Sequence, residues 1–187
     1  ESTVDQVNNE LRNMRQICNA VNYNIVQEFD ISSEKFAEQF SLLYEVNSDK
    51  IESLALYGNE GRLIASEPVA VEKENIDVRG QDWYKNAESA IENVHFSVPH
   101  IQNLYEDGLY RYHWVVSLSR YVDINDGEIP GSGVLLVDMK YSVIEDVLKQ
   151  INDSSEGIYY YMISRDGQMI YHPRKTEMAR GLFEENS

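Results

Sequence analysis

The residues of this chain whose types and spacing can do chemistry are aromatic and acidic rather than nucleophilic. Residues 79–87 read RGQDWYKNA, with Trp83 and Tyr84 side by side at the start of a helix. Further on, LYRYHWVVSLSRYV (109–122) alternates as a strand does. Period two puts Tyr110, Tyr112, Trp114 and Val116 on one face, and Arg111, His113, Val115 and Ser117 on the other. An aromatic face set opposite the Trp83 helix would cage a cation. Asp138 follows the four apolar residues Val134–Val137 in GVLLVDM (133–139). A carboxylate buried there without a partner is costly, so the position calls for one. Aromatic walls with a few polar anchors are the makings of a small-molecule pocket. The same rings also read as plain core, or as edge-strand rings half in solvent.

Signatures of catalysis or of a resident cofactor are missing. His95, His100, His113 and His172 lack the i, i+4 helical spacing of a zinc site, and none sits beside a cysteine ligand. There is no G-x-S-x-G, no P-loop and no G-x-G-x-x-G. Gly131-Ser132-Gly133 precedes a strand rather than the helix N-terminus that phosphate binding uses. DINDGE (123–128) resembles a calcium loop, but Glu128 stands at its sixth position, where the EF-hand needs glycine. Asn152-Asp153-Ser154 fits a glycosylation sequon. With 32 acidic residues, chance pairs of acids abound, and none can be singled out as a catalytic dyad. The expectation is a binding module, not an enzyme, with no cofactor.

The elements that must position these residues are legible from periodicity. Val4, Val7, Leu11, Met14, Cys18, Val21 and Ile25 alternate steps of three and four, a seam of roughly three heptads. That helix either packs along its own domain or pairs with a second copy through residues 1–29, and both can hold. Ser32 or Ser33 can cap a second helix bearing Phe36, Phe40, Leu43 and Val46. Residues 51–66 read strand, glycine turn, strand, and a charged loop with Pro68 follows. Asp82 can cap the helix of Trp83, Ala87, Ala90 and Ile91; then come a hairpin-like stretch (95–105), the long strand, strand 133–139 and a helix with Ile144, Val147, Leu148 and Ile151 on one face. IYYYMISRDGQMIYHP (158–173) repeats the earlier strand–turn–strand, with Gly167 in the place of Gly61 and Ile170 in that of Ile64. The predicted fold class is α+β: a long N-terminal helix, a PAS-like antiparallel sheet with flanking helices, and the start of a second, smaller module of the same kind. Hairpin connections argue against a doubly wound parallel sheet.

Bulk composition narrows the partners. The chain has 187 residues, enough for a real core, with 42% hydrophobic and 26% charged residues. A net charge of −16 repels phosphate backbones and anionic lipid, so nucleic acid is excluded as a partner and a cationic or zwitterionic small molecule is favoured. Cys18 is the only cysteine, which excludes an intrachain disulfide. The sequence shows neither an apolar run of about 18 residues nor a signal-peptide pattern. It opens inside a polar helix, as a piece cut from something longer would.

In this order the elements resemble the double Cache domain, the PAS-like extracellular sensor of bacterial signalling receptors. The resemblance rests on Trp83-Tyr84-x-x-Ala87, the GVLLVDM strand and ISRDGQMIYHP, and it covers nearly the whole chain. It implies three parts: a signalling helix segment (1–50), a membrane-distal ligand-binding module (51–152) and the opening of a membrane-proximal module (153–187). It implies a place on the extracellular or periplasmic face of the membrane, transmembrane helices flanking the sensor in the parent protein, and a cytoplasmic output. A histidine kinase is the expected output, with a chemoreceptor or cyclase as alternatives. Members that bind amino acids carry a pattern like Y-x-x-x-x-R-x-W-Y, a later aromatic and an Asp closing the G-V-x-x-x-D strand. In such sites Arg grips the carboxylate and Asp the amine. Trp83, Tyr84 and Asp138 stand at matching places, and His100 falls near the later aromatic. Gln81 occupies the Arg place, Ile76 the Tyr place, and Arg79 comes two residues early. The ligand set so implied is Arg79, Gln81, Trp83, Tyr84, His100, Tyr112, Trp114 and Asp138. An amine, an amide-like or another neutral polar molecule fits it as well as an amino acid does. A structural or dimerising domain that binds no small molecule is the alternative, and it would fill the pocket with side chains.

Overall fold

The heptad-like seam of the first helix is buried against its own domain. Helix α1 (Thr3–Val21) runs into a five-residue π-helical turn, Asn22–Val26, and Val7, Met14, Cys18, Val21, Ile25 and Val26 are all in the core. The extra residue of a π turn shifts the helix register, which keeps Ile25 and Val26 both inward. Self-association through residues 1–29 is therefore left the outward face, where Asn8, Arg12, Asn13 and Gln16 are exposed. The protein is described by a computed structural model covering residues 3–91, 93–109, 111–127, 129–153, 162–163 and 169–171.

Helix α2 (Glu34–Val46) starts at Ser33, whose hydroxyl accepts from the Phe36 N–H at 3.1 Å and donates to the Asp30 carbonyl at 2.6 Å. This satisfies one of the helix's orphan donors, as the serine pair predicts. Its apolar stripe buries Phe36 and Phe40, while Val46 is exposed.

The sheet is antiparallel in the order β2-β1-β6-β5-β3, with β1 Ile51–Gly58, β2 Leu63–Glu67, β3 His95–Phe96, β5 Trp114–Asp126 and β6 Ile129–Lys140; the short β4 (His100–Ile101) also pairs with β5. The first and last strands of the module are thus neighbours in its middle. Gly133 sits where β6 crosses β1: a Cβ there would lie 2.1 Å from the Tyr57 carbonyl oxygen. The β5–β6 hairpin turns at Gly127 (φ +65°), whose N–H donates to the Asp30 carboxylate.

Two apolar layers cover the sheet. On one face α1, α2 and α4 (Tyr141–Asp153) bury Leu54, Leu56, Val116, Leu118, Leu135, Val137 and Met139. Residues 1–50 therefore share a core with the sheet. On the other face α3 (Asp82–Ser89) and the loops after β2 and β4 bury Ala55, Tyr57, Val134 and Leu136 under Trp83, Tyr84, Leu104 and Tyr105. Alternation along each strand assigns the faces.

Three expectations are adjusted. Helix α3 begins after Gln81, with Asp82 inside its first turn, and it ends at Ser89, leaving Ile91 exposed. The long strand starts at Trp114 rather than Leu109, because Asp107 gathers the preceding residues into a turn: it accepts from the Leu109 N–H, from Arg111 and from His113. Of the repeated strand–turn–strand, only an antiparallel pair, β7 (Met162–Ile163) and β8 (Met169–Tyr171), is described; the turn between them, His172 and the remaining residues of 153–187 after Asp153 lie outside the described residues.

Candidate functional site

The α3 face of the sheet carries a line of polar side chains in an otherwise apolar layer. Asp138 on β6 is paired in register with Ser53 on β1 and Ser117 on β5. It is 1% exposed. The Ser117 hydroxyl donates to Asp138 Oδ1 at 2.6 Å, and His100 Nε2 lies 2.8 Å from the same hydroxyl. With Ser117 donating to the carboxylate, its oxygen can accept from a His100 N–H. Ser53 adds a second hydroxyl bond to Asp138. No Lys or Arg ion pair reaches Asp138 among the described residues. Burial pushes its carboxyl up from 3.8 to about 6; the Ser117 bond, the His100 ring and the Ser53 bond pull it back, while Glu52 adds to the rise. A carboxylate held by hydroxyls alone favours the arrival of a cation.

Aromatic rings wall this centre. Trp83 packs 5.4 Å from Tyr57 and 5.7 Å, edge-on, from Tyr84. The Tyr57 and Tyr105 hydroxyls meet at 2.8 Å, and burial raises the pKa of both phenols. Helix α3 is pinned to the sheet by two bonds: the Ser119 hydroxyl to the Trp83 carbonyl at 2.7 Å, and the Tyr84 hydroxyl to the Gly58 carbonyl at 2.9 Å.

Two clefts are lined by residues near Asp138, though not by Asp138 itself. One, of about 470 Å³, is floored by Ser53 and Tyr105 and walled by Pro68–Val71 and by Glu106, Asp107, Arg111 and His113. Its mouth is tied by His113, whose Nδ1 lies 2.9 Å from Glu52 and whose Nε2 lies 2.7 Å from Asp107. A ring nitrogen of His113 that carries a hydrogen donates to the carboxylate beside it. The His113 bond, with help from the Leu109 N–H and Arg111, holds the Asp107 carboxyl down at about 2. The other cleft, of about 240 Å³, is lined by Trp83, Asn86, Ser97, Val98 and Ser119. Ser97 joins it to the centre, since its hydroxyl accepts from the Ser117 N–H at 2.9 Å.

Of the residues singled out from sequence, His100 and Asp138 meet through Ser117, while Trp83 and Tyr84 pack on the same face of the sheet farther along it. Tyr112 joins neither pair: it is 79% exposed, in the turn before β5. Trp114 is on the opposite face, 6.3 Å from the Tyr141 ring and packed on the helical core. From Trp114 on the alternation holds, but Trp114 and Val116 face the helical core while Ser117 faces Asp138 on the α3 side. Tyr110 lies outside the described residues. Arg79 is exposed, with its side chain against Gly61 in the β1–β2 turn. Gln81 reaches the Asp77 carbonyl at 3.3 Å, and neither residue lines the two clefts. Sequence reasoning passed over Ser53, Tyr57, Tyr105, Ser117 and Ser119. The available signal was three serines interrupting buried apolar strands on one parity.

The Cache domain family profile (dCache_1) matches residues 1–186. No curated protein matches the chain significantly. Several solved structures are similar in fold. The ligand-binding domain of the Pseudomonas aeruginosa PAO1 amino acid chemoreceptor PctB, in complex with L-Gln, aligns with TM-score 0.65 at 21% identity, covering 94% of this chain and 66% of that one. The ligand-binding domain of the Pseudomonas fluorescens chemoreceptor CtaA, in complex with L-serine, aligns at 0.72 and 19%, covering 93% and 69%. That of the P. aeruginosa PAO1 amino acid chemoreceptor PctC, in complex with GABA, aligns at 0.70 and 18%, covering 93% and 73%. The chain thus spans about two thirds of the length of the domains it resembles. Both the profile match along nearly its whole length and the shared architecture lead to one conclusion: the chain belongs to the Cache domain family.

Proposed function

We propose that this domain senses a small molecule bearing a protonated amine, and that the ammonium is taken by Asp138. The observation that carries the reading is a fully buried carboxylate whose fixed partners are hydroxyls rather than a cation. The 470 Å³ cleft, which reaches Ser53, the β1 partner of Asp138, is also ringed by Glu52, Glu106 and Asp107, and the chain as a whole is acidic. Its basic residues, Arg111 and His113, are both already engaged by Asp107. Ammonium recognition therefore outweighs carboxylate recognition, which suits amines and amino acids with a weak carboxylate contact. Trp83, Tyr84, Tyr105, His100, Ser53 and Ser117 complete the site.

The parent protein on this reading is a membrane receptor with residues 51–152 as the membrane-distal module and 153–187 as the opening of the proximal one. The sensor faces the outside of the cell or the periplasm. No helix among the described residues is long and apolar enough to cross a membrane, and the spans belong to the parent on either side. The similar solved domains come from chemoreceptors, which favours a chemoreceptor output; a histidine kinase is the second reading, from the resemblance in sequence.

The test is a thermal-shift series of L-amino acids, GABA and simple amines, each beside the matching acid that lacks the amine. A ligand that binds only the folded chain raises the unfolding midpoint by mass action. Amine-bearing members raise it, their amine-free counterparts do not, and Asp138→Ala abolishes the response. Equal shifts from amine-free acids would overturn the assignment.

A further inference from the structure

On the opposite side of the sheet from Asp138 lies a second cleft, of about 500 Å³, between α1 and the β3–β5 edge. Its helical wall is Arg15 and Asn19, one turn apart on α1, and Tyr23 of the π-helical turn that follows. Its sheet wall is Arg120 on β5, with Asn93, Val94 and His95 closing the end. No acidic side chain among the described residues lines it.

Neither guanidinium is paired with a carboxylate among the described residues. The chain holds 32 acidic residues against 16 basic ones, yet neither Arg15 nor Arg120 makes an ion pair among the described residues. Arg15 is exposed and lies 5.4 Å above the Phe96 ring. Arg120 lies 4.9 Å from the Tyr23 ring centre and donates to Asn19 Oδ1 at 2.6 Å and to the Tyr23 hydroxyl at 2.7 Å. Its Nε is buried and has no hydrogen-bond partner. Neutral partners thus hold the Arg120 fork in a fixed pose and leave its charge uncompensated. In so acidic a chain, two guanidiniums kept clear of every described carboxylate are arranged for an anion from outside.

We propose that this cleft is a second ligand site, for a small oxyanion (a carboxylate or a phosphate) that bridges Arg15 of α1 to Arg120 of β5. The anion accepts charge-assisted hydrogen bonds from the guanidiniums, and the Tyr23 hydroxyl and the Asn93 amide flank it. Bound there, it ties the first helix to the sheet from the side opposite the amine site. This site is independent of the amine reading, because neither Asp138 nor its hydroxyl partners Ser53 and Ser117 line it, and His95 is the one residue it shares with the 240 Å³ cleft.

The test uses residues 1–187 and titrates inorganic phosphate and malonate by calorimetry and thermal shift, with sodium chloride holding the ionic strength constant. Saturable binding with a raised midpoint is expected from one or both probes. Arg15→Gln, an exposed position whose loss spares the fold, weakens that binding by about tenfold or more, the scale of one lost charge-assisted contact. Asp138→Asn leaves it unchanged. Tyr23→Phe, which keeps the ring under Arg120, gives a smaller loss. Absence of saturable binding by either probe, or binding equal in Arg15→Gln, overturns the proposal. A response reproduced by chloride alone overturns it too, since ionic strength would then be the cause.

Discussion

Replacing Asp138 by Asn tests the electrostatics of the site before any ligand is known. The side chain keeps its shape and its acceptor for the Ser117 hydroxyl but can no longer ionise. In the unmodified chain the folded carboxyl, at about 6, holds its proton more tightly than the ordinary 3.8 of an unfolded one. Below pH 3.8 the group is protonated in both states, and its contribution is fully present. As pH rises through about 6 the folded state must ionise a buried acid, and the contribution is lost. The displacement corresponds to roughly 3 kcal/mol. For a chain of this size that is about 6–12 °C in unfolding midpoint. Scanning calorimetry from pH 4 to 8 should therefore show the midpoint difference between Asp138→Asn and the unmodified chain opening in favour of the variant as pH rises, and levelling off above pH 6–7. An ammonium ligand reverses the sign, because it favours the ionised form: its affinity for the unmodified chain climbs by up to about tenfold per pH unit below 6, then flattens. Parallel stability profiles for the two proteins would refute the claim that burial governs this carboxyl.

Further perturbations probe the frame around the site. Gly133→Ala forces a methyl against the Tyr57 carbonyl and parts β6 from β1; a loss of about 1–3 kcal/mol or more in denaturant unfolding is expected. Cys18 is fully buried, and burial pushes its thiol up to about 12, so thiol reagents at pH 8 should label it only as fast as the chain unfolds. Tyr112→Ala, at a side chain 79% exposed, should leave both stability and amine affinity within error in paired thermal-shift titrations; a loss of affinity would return that ring to the pocket.

The sequence told most about positions where a single rule decides. Asp138 stood out because an acid after a run of apolar residues must be partnered, and the structure supplies that partnering from Ser53 and Ser117 on the two adjacent strands. The N-terminal seam and the Ser33 cap follow from helical period and capping chemistry. Trp114 and Tyr112 show where the rules stop. Period two sorts a strand into two faces but does not say which face meets which layer, and ring size drew attention to the wrong one. The start of β5 depends on Asp107 bonding three residues downstream of it, a matter of side-chain geometry that no propensity records. The Tyr57–Tyr105 hydroxyl pair joins residues 48 apart in sequence, and only the sheet's crossing brings them together.

The strand that carries Asp138 is also a wall shared by two rooms. Its immediate neighbours, Val137 and Met139, project through the other side of the sheet into the packing around α1 and α4. Close-packed interiors pass on displacement rather than absorb it. A cation that draws Asp138 by a fraction of an ångström therefore tugs on two side chains wedged beneath the first helix, one residue away and with no loop in between. In this domain the route from chemistry to mechanics is the thickness of a single pleat.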